Sequence, residues 1–201
     1  AYRRGWERDA TPVEAFAQDN AAWLDDYALF MAVKRHFGMK SWIEWPDEAI
    51  RLHKPEALAH YRSLLADDVR FNEYVQYLFF KQWEELHAYT RKKGIKLIGD
   101  MPIYVALDSA DVWASPDNFM LDERNMPLEV AGVPPDSFTE DGQLWGNPLY
   151  NYEAMEADGF GWWIRRVASA AHLYDMIRID HFRGFESYWA MPAGEKTAKI
   201  G

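Results

Sequence analysis

The sequence contains no cysteine, which excludes disulfides and thiolate metal sites and fits a cytoplasmic protein. It has no Lys/Arg-rich run, and its formal net charge is −10. That balance argues against nucleic acid and against an anionic membrane as partners, because both attract a cationic footprint. No apolar run reaches membrane-spanning length, and the opening Ala1-Tyr2-Arg3-Arg4 is not that of a signal peptide. Internal repeats and low-complexity linkers are absent as well. What remains is ordinary for a globular protein: 201 residues, 49% hydrophobic and 27% charged, enough for one domain or part of a larger one. The unusual abundance is aromatic, 16% of residues with ten Trp. Aromatic rings fill cores and also stack on the apolar faces of sugars; for any single Trp the core is the favoured place.

Residues 1–10 are polar and read as a ragged edge. Thr11-Pro12-Val13-Glu14 has the form of a helix start, with Thr as N-cap and Pro at the first helical position. Apolar residues three or four apart, from Phe16 through Trp23, Tyr27 and Val33, predict one helix ending near Gly38. Asp25 and Asp26 fall on its solvated face. A loop over 41–46 precedes a short helix at Pro46-Asp47, and Pro55 opens another. A long helical stretch from Leu58 to Tyr89 closes at Gly94, after the basic Arg91-Lys92-Lys93 that a helix C-terminus prefers. Ile95 to Asp100 reads as a strand ending in an acid. Ser109 to Trp113 forms a helical turn, and residues 116–130 a small hairpin around Arg124-Asn125. Residues 131–150 are rich in Gly and Pro without clear periodicity, the pattern of a long functional loop, and their aromatics argue against disorder. A helix over Asn151 to Tyr174 feeds a second strand.

That second strand carries the chemistry. Met176, Ile177 and Ile179 make a short apolar run of the kind buried on both faces of a parallel sheet. Asp180 stands where the run ends, the place at which a carboxylate opens onto a cleft instead of a core. Arg178, two residues earlier, leaves the same face of the strand. An adjacent guanidinium favours the ionised carboxylate, and an ionised, oriented Asp is what attack on a sugar carbon requires. The alternative is a structural Arg–Asp pair capping the next helix at Gly184. Helices alternating with strands that end in acids, at Asp100 and Asp180, make the rhythm of a βα barrel or a doubly wound sheet.

Four stretches resemble the amylomaltase family, the 4-α-glucanotransferases or disproportionating enzymes of the α-amylase clan. They are Trp23 to Phe30, Ile98-Gly99-Asp100-Met101-Pro102-Ile103-Tyr104-Val105, the loop from Val130 to Tyr150, and Arg178-Ile179-Asp180-His181-Phe182-Arg183-Gly184-Phe185. The resemblance covers nearly the whole chain, in order and spacing. It implies an α/β fold, part of a (β/α)8 barrel (strands three and four) with a helical insertion. Residues 1–94 would be the insertion and a barrel helix, and residues 95–201 the two strands with the 131–150 active-site loop.

The resemblance also implies roles. Asp180 matches the catalytic nucleophile and Arg178 the arginine that hydrogen-bonds it. Asp100 matches an acid contacting sugar next to the scissile bond, although alone it reads as a turn former before Met-Pro. His181 matches a position beside the nucleophile and reads equally as a core histidine. Asp136, Phe138, Trp145 and Asn147 lie on the loop expected to arch over the acceptor sites, where Trp145 could instead anchor the loop to the barrel rim. Some relatives carry Tyr where this chain has Ser137, which leaves a stacking contact on that loop open. Family members are more than twice as long, and their general acid Glu and a third carboxylate would lie beyond Gly201. The chain is therefore expected to be an internal fragment, inactive alone. The implied partners are α-1,4-glucans and maltooligosaccharides, with no metal or organic cofactor. A hydrolase of the same clan and a non-catalytic glucan-binding fragment are the alternatives.

Overall fold

The computed structural model of the chain describes residues 2–201, without the side chains of residues 3 and 4. Helices α1 (Tyr2–Asp19), α2 (Ala21–His36), α3 (Glu48–Arg51), α4 (Pro55–Leu64) and α5 (Ala66–Lys92) come first. There follow β1 (Ile98–Pro102), α6 (Ala110–Ala114), β2 (Glu129–Val133), β3 (Gln143–Pro148), α7 (Tyr152–Ala157), α8 (Gly161–Leu173), β4 (Met176–Asp180) and β5 (Trp189–Pro192). The architecture is mixed α/β. Packing divides the chain into two units, one running to Tyr89 and the other Thr90–Gly201. None of the helices among the described residues is long and apolar enough to cross a membrane.

The first unit is helical. Its core holds Leu24, Ala28, Leu29, Val33, Trp42, Trp45 and Ile50. Three sequence expectations are corrected here. Residues 2–10 are not ragged but form the first half of α1, while Ala1 lies outside the described residues. Thr11-Pro12 does not start a helix; Pro12 sits inside α1. Its missing N–H removes one helical hydrogen bond, but the adjacent Val13 is wholly buried and holds the segment to the core. The single helix expected over 11–38 is split at Asn20. There the side-chain amide donates to the Phe16 carbonyl at 2.9 Å, beside the Asn20 backbone N–H at 3.1 Å, and accepts from the Trp23 indole at 3.0 Å. Asp47 caps α3, accepting from the Ala49 N–H at 2.9 Å and the Ile50 N–H at 3.4 Å.

The second unit contains a two-stranded parallel sheet, β1–β4, and a three-stranded antiparallel sheet in the order β3-β2-β5. Helix α8 feeds β4 and packs on both β1 and β4. The 95–100 strand is observed at 98–102. Its start is set by Asp175, whose carboxylate accepts from the Leu97 N–H at 2.9 Å and from Arg91 at 2.8 Å. Asp100 therefore lies mid-strand and not at a strand end.

The expectation of a strand buried on both faces is also corrected. Gly99, Met101, Ile177 and Ile179 line the inner face, whereas Ile98 and Met176 are 63% and 46% exposed. Within these residues one face of the sheet is covered and the other open. The 131–150 segment is not an irregular loop but a β2–β3 hairpin, and the helix over 151–174 is interrupted between α7 and α8 by Gly159 and Phe160, both at positive φ.

Much of the aromatic content is core. In the second unit Tyr150, Trp162, Trp163 and Phe185 form a chain of edge-on and tilted contacts with ring centroids 4.9–5.6 Å apart. Gly99 admits Tyr174 against the sheet, since a Cβ there would lie 2.2 Å from the Tyr174 ring. Gly99→Val is expected to destabilise this unit by about 1–3 kcal/mol through overpacking. A thermal or urea melt of the full-length protein that matches wild type would contradict that packing.

Candidate active site

Parallel pairing sets Asp100 opposite Arg178 and Pro102 opposite Asp180. With a side-chain period of two, Asp100, Arg178 and Asp180 share one face. Arg178 donates from Nε to Asp100 Oδ1 at 2.9 Å and from Nη2 to Asp100 Oδ2 at 2.7 Å. Nη2 also reaches Asp180 Oδ1 at 3.5 Å. The arginine thus holds Asp100 in a bidentate fork and touches Asp180 more loosely, whereas the sequence pointed to Asp180 as its partner. Hydrogen bonding to Asp100, then the charges of Asp100 and Asp180, raise the Arg178 pKa. The three side chains are 58–63% exposed, so their charges face an open surface.

The capping alternative does not describe Asp180. The short helical turn Phe182–Phe185 is preceded by His181 at φ 56°, with no side-chain cap, and the Asp180 carboxylate bonds only to Arg178 among the described residues. Asp100 spends both oxygens on Arg178, so it does not form the local turn that its sequence context allows.

His181 sits in an aromatic corner. Its ring lies edge-on to Trp145 at 5.0 Å and tilted to Tyr104 at 6.4 Å. Trp145 gets there through an irregular strand. Val130 pairs with Pro148 and Gly132 with Leu144, so β3 carries extra residues between these points, with Gly146 at φ 76°. Such a bulge re-aims side chains, and here it brings the β3 indole to the end of β4. Asn147 Nδ2 donates to the Val105 carbonyl at 2.8 Å, tying β3 to the segment after β1.

The tip of the hairpin behaves differently. Asp136 accepts from the N–H groups of Phe138 and Thr139 at 2.8 and 2.9 Å, which closes a local turn. Phe138 is 95% exposed. The structure therefore brings Asp100, Arg178, Asp180, His181, Trp145 and Asn147 around the two strand ends, and leaves Asp136 and Phe138 on the projecting tip. A cleft of about 290 Å³ opens beside His181, between Pro134 of the hairpin and Arg183, Tyr188 and Trp189. Among the described residues no group of three or more His, Asp or Glu is placed to hold a metal ion.

Two residues of this region were not singled out from the sequence. Tyr104 follows β1 and is buried beneath His181 and Trp145. Burial, then the neighbouring Tyr152 and Tyr188, pushes its pKa up to about 12. Arg166, on α8, donates to the carbonyls of Pro102 and Ile103 at 2.6 and 2.9 Å. The sequence signal was the Trp162-Trp163 pair three and four residues before it, since helical neighbours at that spacing meet. Gly184 allows the corner to close, because a Cβ there would lie 2.9 Å from Ile103, 3.0 Å from the His181 ring and 3.2 Å from the Tyr104 hydroxyl. Gly184→Ala is expected to displace the His181 ring and to cost about 1–3 kcal/mol of stability. A crystal structure of the variant with that ring unmoved would contradict this.

Comparison with known proteins follows the same residues. The family model described as 4-alpha-glucanotransferase matches residues 2–201. The chain is 50% identical over 193 residues to the 4-alpha-glucanotransferase of Streptococcus pneumoniae, covering 96% of this chain and 38% of that protein. It is 50% identical over 203 residues to the Thermus thermophilus 4-alpha-glucanotransferase, covering 98% and 40%. Among solved structures, the amylomaltase from Streptococcus agalactiae in complex with acarbose superposes with a TM-score of 0.93 at 48% identity, over 97% of this chain and 39% of that one. The Corynebacterium glutamicum amylomaltase, at 19% identity and a TM-score of 0.72 over 96% of this chain and 24% of that one, shares the fold. The chain spans about two fifths of the length of the curated relatives it matches.

Proposed function

The chain belongs to the 4-alpha-glucanotransferase family, and on that premise we propose that the protein carrying it transfers α-1,4-glucan segments between maltooligosaccharides, with retention, through a covalent glycosyl-enzyme. The observation that carries this reading is the Asp100–Arg178–Asp180 cluster on one face of two parallel strands, with Asp180 at the end of β4. We assign β1 and β4 as the third and fourth strands of a (β/α)8 barrel, and the helical unit as an insertion with one barrel helix. On this assignment the exposed faces of Ile98 and Met176 point into the barrel, with the charged cluster above them at its C-terminal mouth. A solved relative in complex with acarbose supports a carbohydrate ligand.

Asp180 is the nucleophile. Its Oδ attacks the anomeric carbon of an α-1,4 bond as the leaving 4-oxygen takes a proton, giving a β-linked glycosyl ester. The resemblance puts the proton donor, a Glu, and a third carboxylate outside these 201 residues. In the second half the 4-hydroxyl of another glucan attacks the same carbon, gives up its proton to that Glu and releases Asp180, so two inversions leave the α configuration. Arg178 lies between two carboxylates, offsets their repulsion and orients Asp180. Asp100, fixed by the fork, accepts from hydroxyls of the donor sugar beside the scissile bond. His181, held by Trp145 and Tyr104, borders the reacting sugar, and Asn147 keeps β3 at the strand ends. Asp136 shapes the hairpin tip so that Phe138 can pack on an acceptor glucose ring and keep water from the ester.

Two outcomes are expected of the full-length protein. Asp180→Asn removes the nucleophile with little change in shape, so transfer should fall at least about a hundredfold while glucan affinity stays within about threefold. Transfer close to wild type in this variant rejects the assignment. Phe138→Ala should lower transfer roughly tenfold more than hydrolysis, with an unchanged melting temperature, because water needs no stacking surface. Equal losses in both reactions would make the ring dispensable for acceptor choice. Product analysis separates transferase from hydrolase: disproportionation yields longer glucans plus glucose, hydrolysis only shorter sugars.

A further inference from the structure

Arg166 makes no contact with the charged cluster, yet it holds the backbone from which that cluster is built. Its guanidinium donates from Nη2 to the Pro102 carbonyl at 2.6 Å and from Nη1 to the Ile103 carbonyl at 2.9 Å. Nη1 also lies 3.3 Å from the Tyr150 hydroxyl, which itself donates to the Ile103 carbonyl at 2.6 Å. Burial raises the Tyr150 pKa, so the phenol remains a donor at neutral pH. The guanidinium carbon stands 5.2 and 5.1 Å from the Trp162 and Trp163 ring centroids, and these indoles lie at 85° to each other. A planar cation is thus seated on two rings with its nitrogens aimed at two successive carbonyls.

Those carbonyls belong to the point where β1 ends. Pro102 pairs with Asp180 in the parallel register. Ile103 is 2% exposed, and Tyr104 stacks on Tyr150 at 5.9 Å while packing on His181 and Trp145. One guanidinium therefore sets the exit of β1 beside the nucleophile and, through Tyr104, the rings that hold His181. Arg166 also stands on α8, which leads directly into β4, so it couples the positions of the two strands that supply Asp100 and Asp180.

We propose that Arg166 is a positioning residue for the transfer reaction: it fixes the Pro102 and Ile103 carbonyls and thereby aligns Asp100, His181 and Trp145 around Asp180. The proposal rests on the glucan-transfer reading given above. Arg166 presents no group to a sugar, so its loss acts on the alignment of reacting groups and not on glucan affinity. Misplacement on the scale of 1 Å costs on the order of a hundredfold in rate.

The test uses the full-length protein with Arg166→Lys and Arg166→Ala. Lysine keeps a cationic stem over the indoles, but one nitrogen cannot serve both carbonyls in the fork geometry. Expected for R166K is a kcat per folded molecule lowered roughly tenfold or more, with KM within about twofold and a crystal structure showing Tyr104 and His181 displaced. R166A should lose more, and if it fails to fold R166K alone decides. A kcat per folded molecule within about twofold of wild type would make Arg166 a strut of the fold and overturn the proposal, as would Tyr104 and His181 unmoved in the R166K structure. The two readings fail separately. Wild-type protein without glucan transfer rejects the functional reading, while ring positions in R166K still decide whether Arg166 sets them.

Discussion

Two carboxylates placed side by side on adjacent strands repel unless a cation stands between them, and Arg178 meets that constraint in this fold. It needs both oxygens of Asp100 for its fork and can give Asp180 only a longer contact. This asymmetry is useful for the proposed chemistry. A nucleophile held as Asp100 is would have both oxygens hydrogen-bonded to a cation and be the weaker for it, whereas Asp180 keeps one oxygen free of any described partner. The pair is exposed and therefore contributes little to stability; its worth lies in orientation and charge.

The fold supplies this arrangement with few elements. Parallel strands cannot be joined by a tight turn, so the chain between β1 and β4 must make a long crossover. Most of that crossover is the second unit's remaining structure: the antiparallel hairpin, its aromatic core and α8. The same segment that closes the topology also provides Trp145, Asn147 and Arg166. Irregular backbone appears where these side chains are delivered, at the extra residues of β3 with Gly146, at His181 in the left-handed region, and at the close approach of Gly184 to Ile103. Of these points His181 is the non-glycine at positive φ, and its ring is packed by Tyr104 and Trp145.

The aromatic abundance has two physical outcomes. Trp42, Trp45, Trp113, Trp162 and Trp163 are buried and fill cores, the commoner fate of large apolar rings. Phe138 is held out in solvent by the Asp136 turn, where burying it would gain hydrophobic free energy. A ring 95% exposed on a projecting tip gains nothing from packing, which supports reading it as a contact for something bound.

The sequence by itself determined the features that depend on neighbours along the chain. Period-two spacing put Arg178 and Asp180 on one face, Pro55 opened a helix, Ser109 to Trp113 read as a helical turn, and the apolar 176–179 run marked a strand; the motif resemblance added the family. Features that depend on what lies across space had to wait for the tertiary structure. Register decided that Arg178 forks to Asp100, since a slip of one residue would turn Asp100 to the other face. The hairpin over 129–148 was illegible because extra residues in β3 erase the alternation by which a strand is recognised. Pro12 lies inside α1 although Thr11-Pro12 reads locally as a helix start, because the missing N–H costs one bond and buried Val13 holds the segment to the core. Of Arg166 the sequence showed the spacing to Trp162 and Trp163 but not its role, since its partners are backbone carbonyls more than sixty residues away in sequence, and a carbonyl carries no side-chain identity for a sequence to display.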